Sequence, residues 1–416
     1  MKRFLIIILA ALSGLPMAAQ LRSSNNGTGY YRIRNVANTL HYITIANDTL
    51  NYTIAISTAA GGLMELNGGS LLFGDPAVAA AAKARGLECA GKFLMTDIHM
   101  MEDPNCVDVS SIIYLKFKSG AKYDLIAQST SLIEMTTGTY PGSIVLDFSN
   151  IYATITKSSG SGANTQYTAK VDLKASNYSA ANLGSRYFID DNGTFAISES
   201  NTDSNAKWIL EQVTSFNVDV SSLVEYKGNY YCTMYTPFAY TLSTQNEATV
   251  KAYVISAVNE DGTLEKVEVA TNESGTVPAC TPVILECSSN VLGNCQLMPQ
   301  DAPKVFPHGE PAISDYSGVN KLKGAFFCNT DGKIYFTTKT GTSFFNADNY
   351  TAYNASDMLV LGVGQSPTGV NRLGFFPYTG DKMKSNKVWL DISGSNANAN
   401  YTLDNDDTNQ KGVTNE

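Results

Sequence analysis

From Gly29 onward the chain is a succession of short runs of β-forming residues, each stopped within about ten residues by Asn, Asp, Gly or Ser. GYYRIRN, HYITI, IIYLKFKS, SIVLDF, QYTAKVDLK, RYFI and TFAI are such runs in the first half. YYCTMY, VKAYVISAV, PVILEC, KIYF, MLVLGVG and KVWLDI continue the pattern. Tyr, Ile, Val, Phe and Thr suit a pleated, half-buried surface, and the interruptions carry turn chemistry. Asp191-Asn192-Gly193, between RYFI and TFAI, is the strongest hairpin signal. Ser119-Gly120 and Glu260-Asp261-Gly262-Thr263 mark two further turns. The pattern predicts a mainly β protein. Charged residues make up only 16% of the chain, against about 25% in an ordinary soluble domain. The surface is therefore built from Ser, Thr, Asn, Gly and Tyr.

Two regions emerge along the chain. Residues 29–213 end in WILEQV, and the next strong strand begins near Tyr230, so the boundary is expected between Val213 and Tyr226. Residues 226–393 are nearly all strand and turn, which predicts a β-sandwich-like domain. One helical insertion is expected at about 75–103. Asp75-Pro76 supplies an N-cap and a first-turn proline, Ala77–Arg85 is a strong helix former, and Glu88–Met101 reads as a second helix. Residues 394–416 are polar and lack apolar periodicity, which predicts a disordered tail.

The opening MKRFLIIILAALSGLPMAAQ sets the compartment. Lys2 and Arg3 precede an apolar stretch, Phe4–Leu12, that is too short to span a bilayer, and Ala18-Ala19 offers a cleavage point. Residues 1–19 are read as a signal peptide. The mature protein is then secreted, to the extracellular space or the outer cell surface, with the periplasm as the alternative. No Cys follows the leader to carry a lipid anchor. No later apolar run approaches the roughly 20 residues of a transmembrane helix. The formal charge is −9, and losing Lys2 and Arg3 takes it to −11. An acidic chain without a basic block has no electrostatic reason to bind nucleic acid or an anionic membrane surface. Export permits disulfides among Cys89, Cys106, Cys232, Cys280, Cys287, Cys295 and Cys328. Cys89–Cys106 is the simplest pairing, and Cys287–Cys295 would close a hairpin. Buried unpaired thiols are the alternative.

GYYRIRN followed by HYITI resembles the opening of ricin-type β-trefoil lectin repeats. RYFIDDNGTFAISESNTDSNAKWILEQV resembles the closing repeat, with Trp208 in the place of the signature Trp and Ala206 where Gln is usual. The second region is similar to a C-terminal β module of uncharacterised secreted and surface proteins of Gram-negative gut anaerobes. Together these likenesses cover most of residues 29–393. They imply a β-trefoil-like N-terminal domain and a carbohydrate or glycoconjugate ligand. Tyr187, Asp191, Asn192 and Trp208 form the most lectin-like arrangement. Asp191 and Asn192 would orient hydroxyls while an aromatic ring stacks on a pyranose. The plainer reading makes Asp-Asn-Gly a hairpin turn and Trp208 a core anchor.

No catalytic, metal or cofactor motif stands beside this. The three His, His41, His99 and His308, belong to no HExxH. His99 and Glu102 have helical i, i+3 spacing, but two ligands are too few for a metal. His41 falls between strand residues and reads as structural. There is no GxSxG, and Gly362-Val363-Gly364 lacks dinucleotide spacing. Asp190 and Asp191 are explained by the turn they support. The sequence reading is a non-catalytic glycan-binding protein without a cofactor. The alternatives are an adhesive surface protein that binds another protein and, third, a glycan-active hydrolase.

Overall fold

The computed structural model describes residues 24–45, 52–57, 62–67, 70–73, 88–95, 98–128, 130–131, 133–135, 138–139, 145–146, 152–174, 182–269, 275–303, 316, 318–325, 327–328, 333–335, 350–352, 358–365, 369–377, 386–392 and 401–403. The protein is mainly β. The helical elements among the described residues are 3-10 turns of three or four residues. The chain divides into two compact units between Thr214 and Ser215, with residues 105–110 belonging to the second. The proposed leader, residues 1–19, lies outside the described residues.

The first unit is organised around a closed ring of six antiparallel strands. Gly29–Asn35 pairs on one side with Ile113–Ser119 and on the other with Trp208–Gln212. Ile113–Ser119 turns through Gly120, at φ 57°, into Lys122–Ala127. That strand pairs with Ala153–Ser159, which pairs with Gln166–Lys174. Gln166–Lys174 then meets Trp208–Gln212 through Tyr167 opposite Trp208, and the ring closes. Closure leaves no ring strand with an unpaired edge. The alternation of apolar residues makes this work. Ile113, Leu115, Leu125, Ala153, Ile155, Ala169, Val171 and Leu210 are buried, with the small alanines offsetting the bulk of Tyr31 and Trp208. Arg32, on the opposite face of its strand from Tyr31, is also buried, held by Asp103 at 2.6 Å and by the Ser111 hydroxyl.

Hairpins extend from the ring. His41–Ile45 pairs with Ile98–Glu102, and Asn182–Asp191 pairs with Thr194–Ser198. Tyr52–Ser57, Gly62–Asn67, Ser70–Phe73, Glu88–Met95 and Ile133–Met135 make a separate five-stranded sheet. The expected helix over Glu88–Met101 is therefore replaced by two strands, Glu88–Met95 and Ile98–Glu102. Helix propensity differs by only tenths of a kcal/mol among ordinary residues. A ladder partner outweighs that here: Tyr52–Ser57 for the first strand, with Ile54 opposite Phe93, and His41–Ile45 for the second, with Ile43 opposite Met100. The rest of the expected insertion, residues 75–87, lies outside the described residues.

The described residues of the second unit are also mostly sheet. Phe216–Asn217, Cys295–Gln300, Ala239–Thr244 and Thr276–Val277 form a four-stranded sheet in that order. Val224–Tyr226, Asn229–Met234, Val283–Cys287, Val250–Val258 and Leu264–Val269 form a five-stranded one. Buried Phe216, Tyr240 and Leu297 of the first, and Cys232, Ala252, Val254 and Leu285 of the second, supply the core. The Glu260–Thr263 turn joins two of these strands, with Gly262 at φ 83° and Thr263 N donating to the Asp261 carboxylate. A further five-stranded sheet contains Leu322–Ala325, Lys387–Asp391, Met358–Gln365, Asn371–Pro377 and Tyr401–Thr402.

That last strand corrects the tail. Residues 394–416 read as disordered, yet Tyr401 and Thr402 are buried and pair with Phe375 and Gly374. Thr402 N also donates to the Gly262 carbonyl, and Leu403 N to Leu373. One Tyr in a polar stretch gives no periodicity to read. The signal lies in the partner: a Cβ on Gly374 would sit 2.0 Å from the Tyr401 carbonyl oxygen. Only glycine lets the tail backbone approach so closely.

Candidate functional site

The site is built on the Asp191-Asn192-Gly193-Thr194 turn. Asp191 faces Thr194 in the ladder, so the loop is two residues long. Asn192 and Gly193 both have positive φ, 51° and 91°, as a type I′ hairpin demands. Along the strand leading in, Arg186, Phe188 and Asp190 are buried while Tyr187, Ile189 and Asp191 face outward. The register thus drives a carboxylate, Asp190, into the interior.

Its oxygens are fully engaged. Gly193 N donates to Asp190 Oδ1 at 2.7 Å, which locks the turn. Oδ2 accepts from Asn38 Nδ2 at 2.8 Å and pairs with His41 Nδ1 at 2.7 Å. Three donors compensate the loss of water around this group. Asn38 and His41 are themselves placed by Asn35, whose buried amide oxygen accepts from Ala37 N and Asn38 N. That Asx turn ends Gly29–Asn35 and starts His41–Ile45, with His41 N donating to the Asn38 carbonyl.

The carboxylate on Nδ1 fixes the imidazole. A carboxylate oxygen at Nδ1 calls for a donor there, which leaves Nε2, on the Glu102 side, without that partner. The nearest acid, Glu102 Oε1, is 3.7 Å from Nε2, beyond hydrogen-bond length. Glu102 stands directly opposite His41 in the ladder and is 65% exposed. The Gly193 backbone flanks the ring, since a Cβ there would lie 3.6 Å from His41 Cε1. His41 Nε2, Glu102 and the exposed Asp191 and Asn192 thus surround one turn. Leu40, next to His41 in the chain, is half exposed.

The expected residues divide. Asp191 and Asn192 belong to this turn. Tyr187 is four residues from Asp191, roughly 13 Å along a strand. Its ring lies under the Lys170 ammonium, 6.0 Å from centroid to nitrogen. Trp208 is a correction. It is completely buried, it closes the ring opposite Asn35 and Tyr167, and its indole N–H donates to the Phe188 carbonyl at 3.1 Å. A ring walled in by the barrel cannot stack on a ligand. Asn38, His41, Glu102 and Asp190 were not singled out as site residues. Their partners lie 149 to 152 residues apart for the Asp190 contacts, a separation that no local motif encodes.

Asp190 has its oxygens engaged and is buried. His99 lies in the strand Ile98–Glu102, so its helical spacing to Glu102 does not exist. Among the described residues no three His, Cys, Asp or Glu side chains are grouped to hold a metal ion. No helix among them is long and apolar enough to cross a membrane. The exposed large apolar side chains are aliphatic: Leu40, Val267, Val291, Leu292, Val319, Val363 and Val370.

No family model and no curated protein sequence matches the chain. A solved structure described as "Structure and mode of action of a mosquitocidal holotoxin" is similar at 9% identity and a TM-score of 0.21, over 90% of this chain. The chain spans about a third of that protein's length, 34%. A likeness at this level carries no argument.

Proposed function

We propose that the protein is an exported, non-catalytic binding protein whose first unit takes carbohydrate at the His41–Asp190 turn. The observation that carries this reading is the buried Asp190, which spends its hydrogen bonds on orienting Asn38, His41 and the Asn192-Gly193 turn. Orientation by a buried carboxylate presets the exposed groups, which is how polar ligands are held at low entropic cost. His41 Nε2, the Glu102 and Asp191 carboxylates and the Asn192 amide offer acceptors and a donor to hydroxyls. The two exposed carboxylates repel anionic sugars, so neutral or amino-bearing glycans are the fitting class.

The six-stranded ring, with hairpins leaving it between ring strands, supports a β-trefoil-like first unit. The two sheets of residues 216–300 support a β-sandwich-like second one. Export to the cell surface or medium rests on the N-terminal leader.

A glycan array probed with the full chain tests the reading. Binding to neutral or amino glycans, lost at least tenfold in Asp191→Ala with an unchanged melting temperature, is expected. A preference for sialylated or sulfated glycans, or undiminished binding by Asp191→Ala, sinks the assignment. A second reading, adhesion to another protein, is favoured by the aliphatic character of the exposed apolar side chains. A blank array moves that reading first.

A further inference from the structure

Residues 288–294 connect the two sheets of residues 216–300 in the second unit, and both ends of this connection are cysteines. Cys287 is the last residue of Val283–Cys287, in the five-stranded sheet. Cys295 is the first of Cys295–Gln300, in the four-stranded sheet. They do not form a hairpin, because the chain crosses from one sheet to the other between them. A second crossover runs alongside. Thr244 lies opposite Cys295, and Val250 lies opposite Cys287. The two crossovers are laced together: Ser288 N donates to the Thr249 carbonyl, Thr249 N to the Ser288 hydroxyl, and Gln245 N to the Asn294 carbonyl. This lacing fixes both cysteine backbones.

Both side chains point inward, 0% and 3% exposed, the Cys295 thiol donates to the Ser289 carbonyl at 3.7 Å, and the two thiols shift each other's acidity. We propose that Cys287 and Cys295 are the site of an oxidative staple, a disulfide that locks the crossover between the four-stranded and the five-stranded sheet of residues 216–300. Cys232 is the competing thiol, and geometry disfavours it. It faces Leu285 in the ladder, so Cys287 is its diagonal neighbour, roughly 7–8 Å away. A disulfide needs Cα atoms within about 7 Å and converging Cβ vectors.

The chemistry requires an external disulfide, R–S–S–R, of the kind carried by thiol–disulfide oxidoreductases or oxidised glutathione. Cys295 is the first nucleophile. The contact with Cys287 and a backbone hydrogen bond from Ser289 hold its thiol on the acidic side of the ordinary range, against burial. Burial, chiefly, pushes Cys232 up to about 11, against the nearby Lys387 charge, which keeps that thiol inert. The Cys295 thiolate attacks one sulfur of R–S–S–R, forms a mixed disulfide and releases R–S⁻. Cys287 then loses its proton and attacks the Cys295 sulfur. The Sγ–Sγ bond forms, and the second R–S⁻ leaves. Two protein thiols have lost two protons and two electrons, and the external pair carries them away as two R–SH. Access comes through opening of the 288–294 loop, whose Val291 and Leu292 are already 57% and 39% exposed.

The test uses the purified full chain, reduced and then incubated with excess oxidised glutathione. Free thiols are alkylated after unfolding, and peptides are mapped by mass. A link between the peptides carrying Cys287 and Cys295, with Cys232 alkylated, is expected. Closing so short a loop should raise the melting temperature by roughly 5–10 °C over the reduced protein. Cys232→Ser should oxidise like the parent, and Cys295→Ser should lose the link and the temperature rise. The proposal is overturned if Cys287 and Cys295 remain separately alkylated, or if the main link contains Cys232. The mapping needs no variant, so a misfolded substitution does not obscure it, and the result is independent of any glycan.

Discussion

Replacing Trp208 by Ala separates a core anchor from a ligand platform by magnitude alone. The indole is completely buried, and a Trp side chain removes roughly 150–250 Å² from water. At about 25 cal/mol per Å² this is a transfer term of roughly 4–6 kcal/mol. That figure is an upper bound, because an unfolded chain already hides part of the ring. Core Trp and Phe truncations cost about 3–5 kcal/mol in practice. The lost N–H donor to the Phe188 carbonyl adds about 1 kcal/mol. The expected loss is therefore about 4 kcal/mol, a large share of the roughly 5–15 kcal/mol that holds a domain folded. Trp208 also sits where the ring closes, between Asn35 and Tyr167, so the cavity opens the barrel seam itself. Urea titration of the full chain followed by circular dichroism reads the change as an earlier transition of the first unit, while fluorescence from Trp389 follows the second unit as an internal control. Trp208→Phe should keep most of the packing and cost about 1–2 kcal/mol. A Trp208→Ala loss below about 1.5 kcal/mol, with glycan binding abolished, would refute the core assignment.

Two smaller perturbations probe other parts of the molecule. Gly374→Ala places a methyl against the Tyr401 carbonyl, which is backbone and cannot rotate away. The Tyr401–Thr402 strand should be displaced, at about 1–3 kcal/mol, and limited proteolysis should cut near Tyr401 in the variant but not in the parent. Equal protection in both would show that the strand does not depend on that glycine. Asp172 supplies a pH dependence. Burial raises its pKa, but hydrogen bonds from Lys170 and Ser185 outweigh this, and the net shift is downward. A depressed carboxylate contributes stability that is present above its unfolded value, about 3.9, and is lost as pH falls through the lower folded value. Asp172→Asn should flatten the acid limb of a melting-temperature profile below about pH 4 while leaving its shape near neutrality unchanged. The effect is small, because the side chain is 47% exposed. An unaltered acid limb would show that Asp172 does not couple folding to protons.

What the sequence disclosed and what it hid follow from the range of the interactions involved. Asp191-Asn192-Gly193 is legible because a two-residue turn with both φ angles positive is a local requirement, and Asn-Gly meets it. Ser119-Gly120 and the Glu260–Thr263 turn are legible for the same reason. The strands Glu88–Met95 and Ile98–Glu102 are not, because their residues suit a helix nearly as well and only distant partners decide. The pairing of Tyr401 with Phe375 is hidden in the same way, since a two-residue strand has no period.

The site combines both ranges, and this is why its outward half was readable and its inward half was not. Asp190 serves the turn through one oxygen, so a local argument accounts for it and stops there. The other oxygen reaches Asn38 and His41, which arrive from the opposite end of the unit through the Asn35 turn. A carboxylate that did nothing but cap a turn would gain little from being fully buried, since a surface Asx turn leaves its second oxygen to water. Burial of Asp190 is affordable only because two side-chain donors complete its shell. Those donors are thereby held in one orientation, with Nε2 of the imidazole on the Glu102 side. The turn's own chemistry thus makes a fixed polar face beside Asp191 and Asn192.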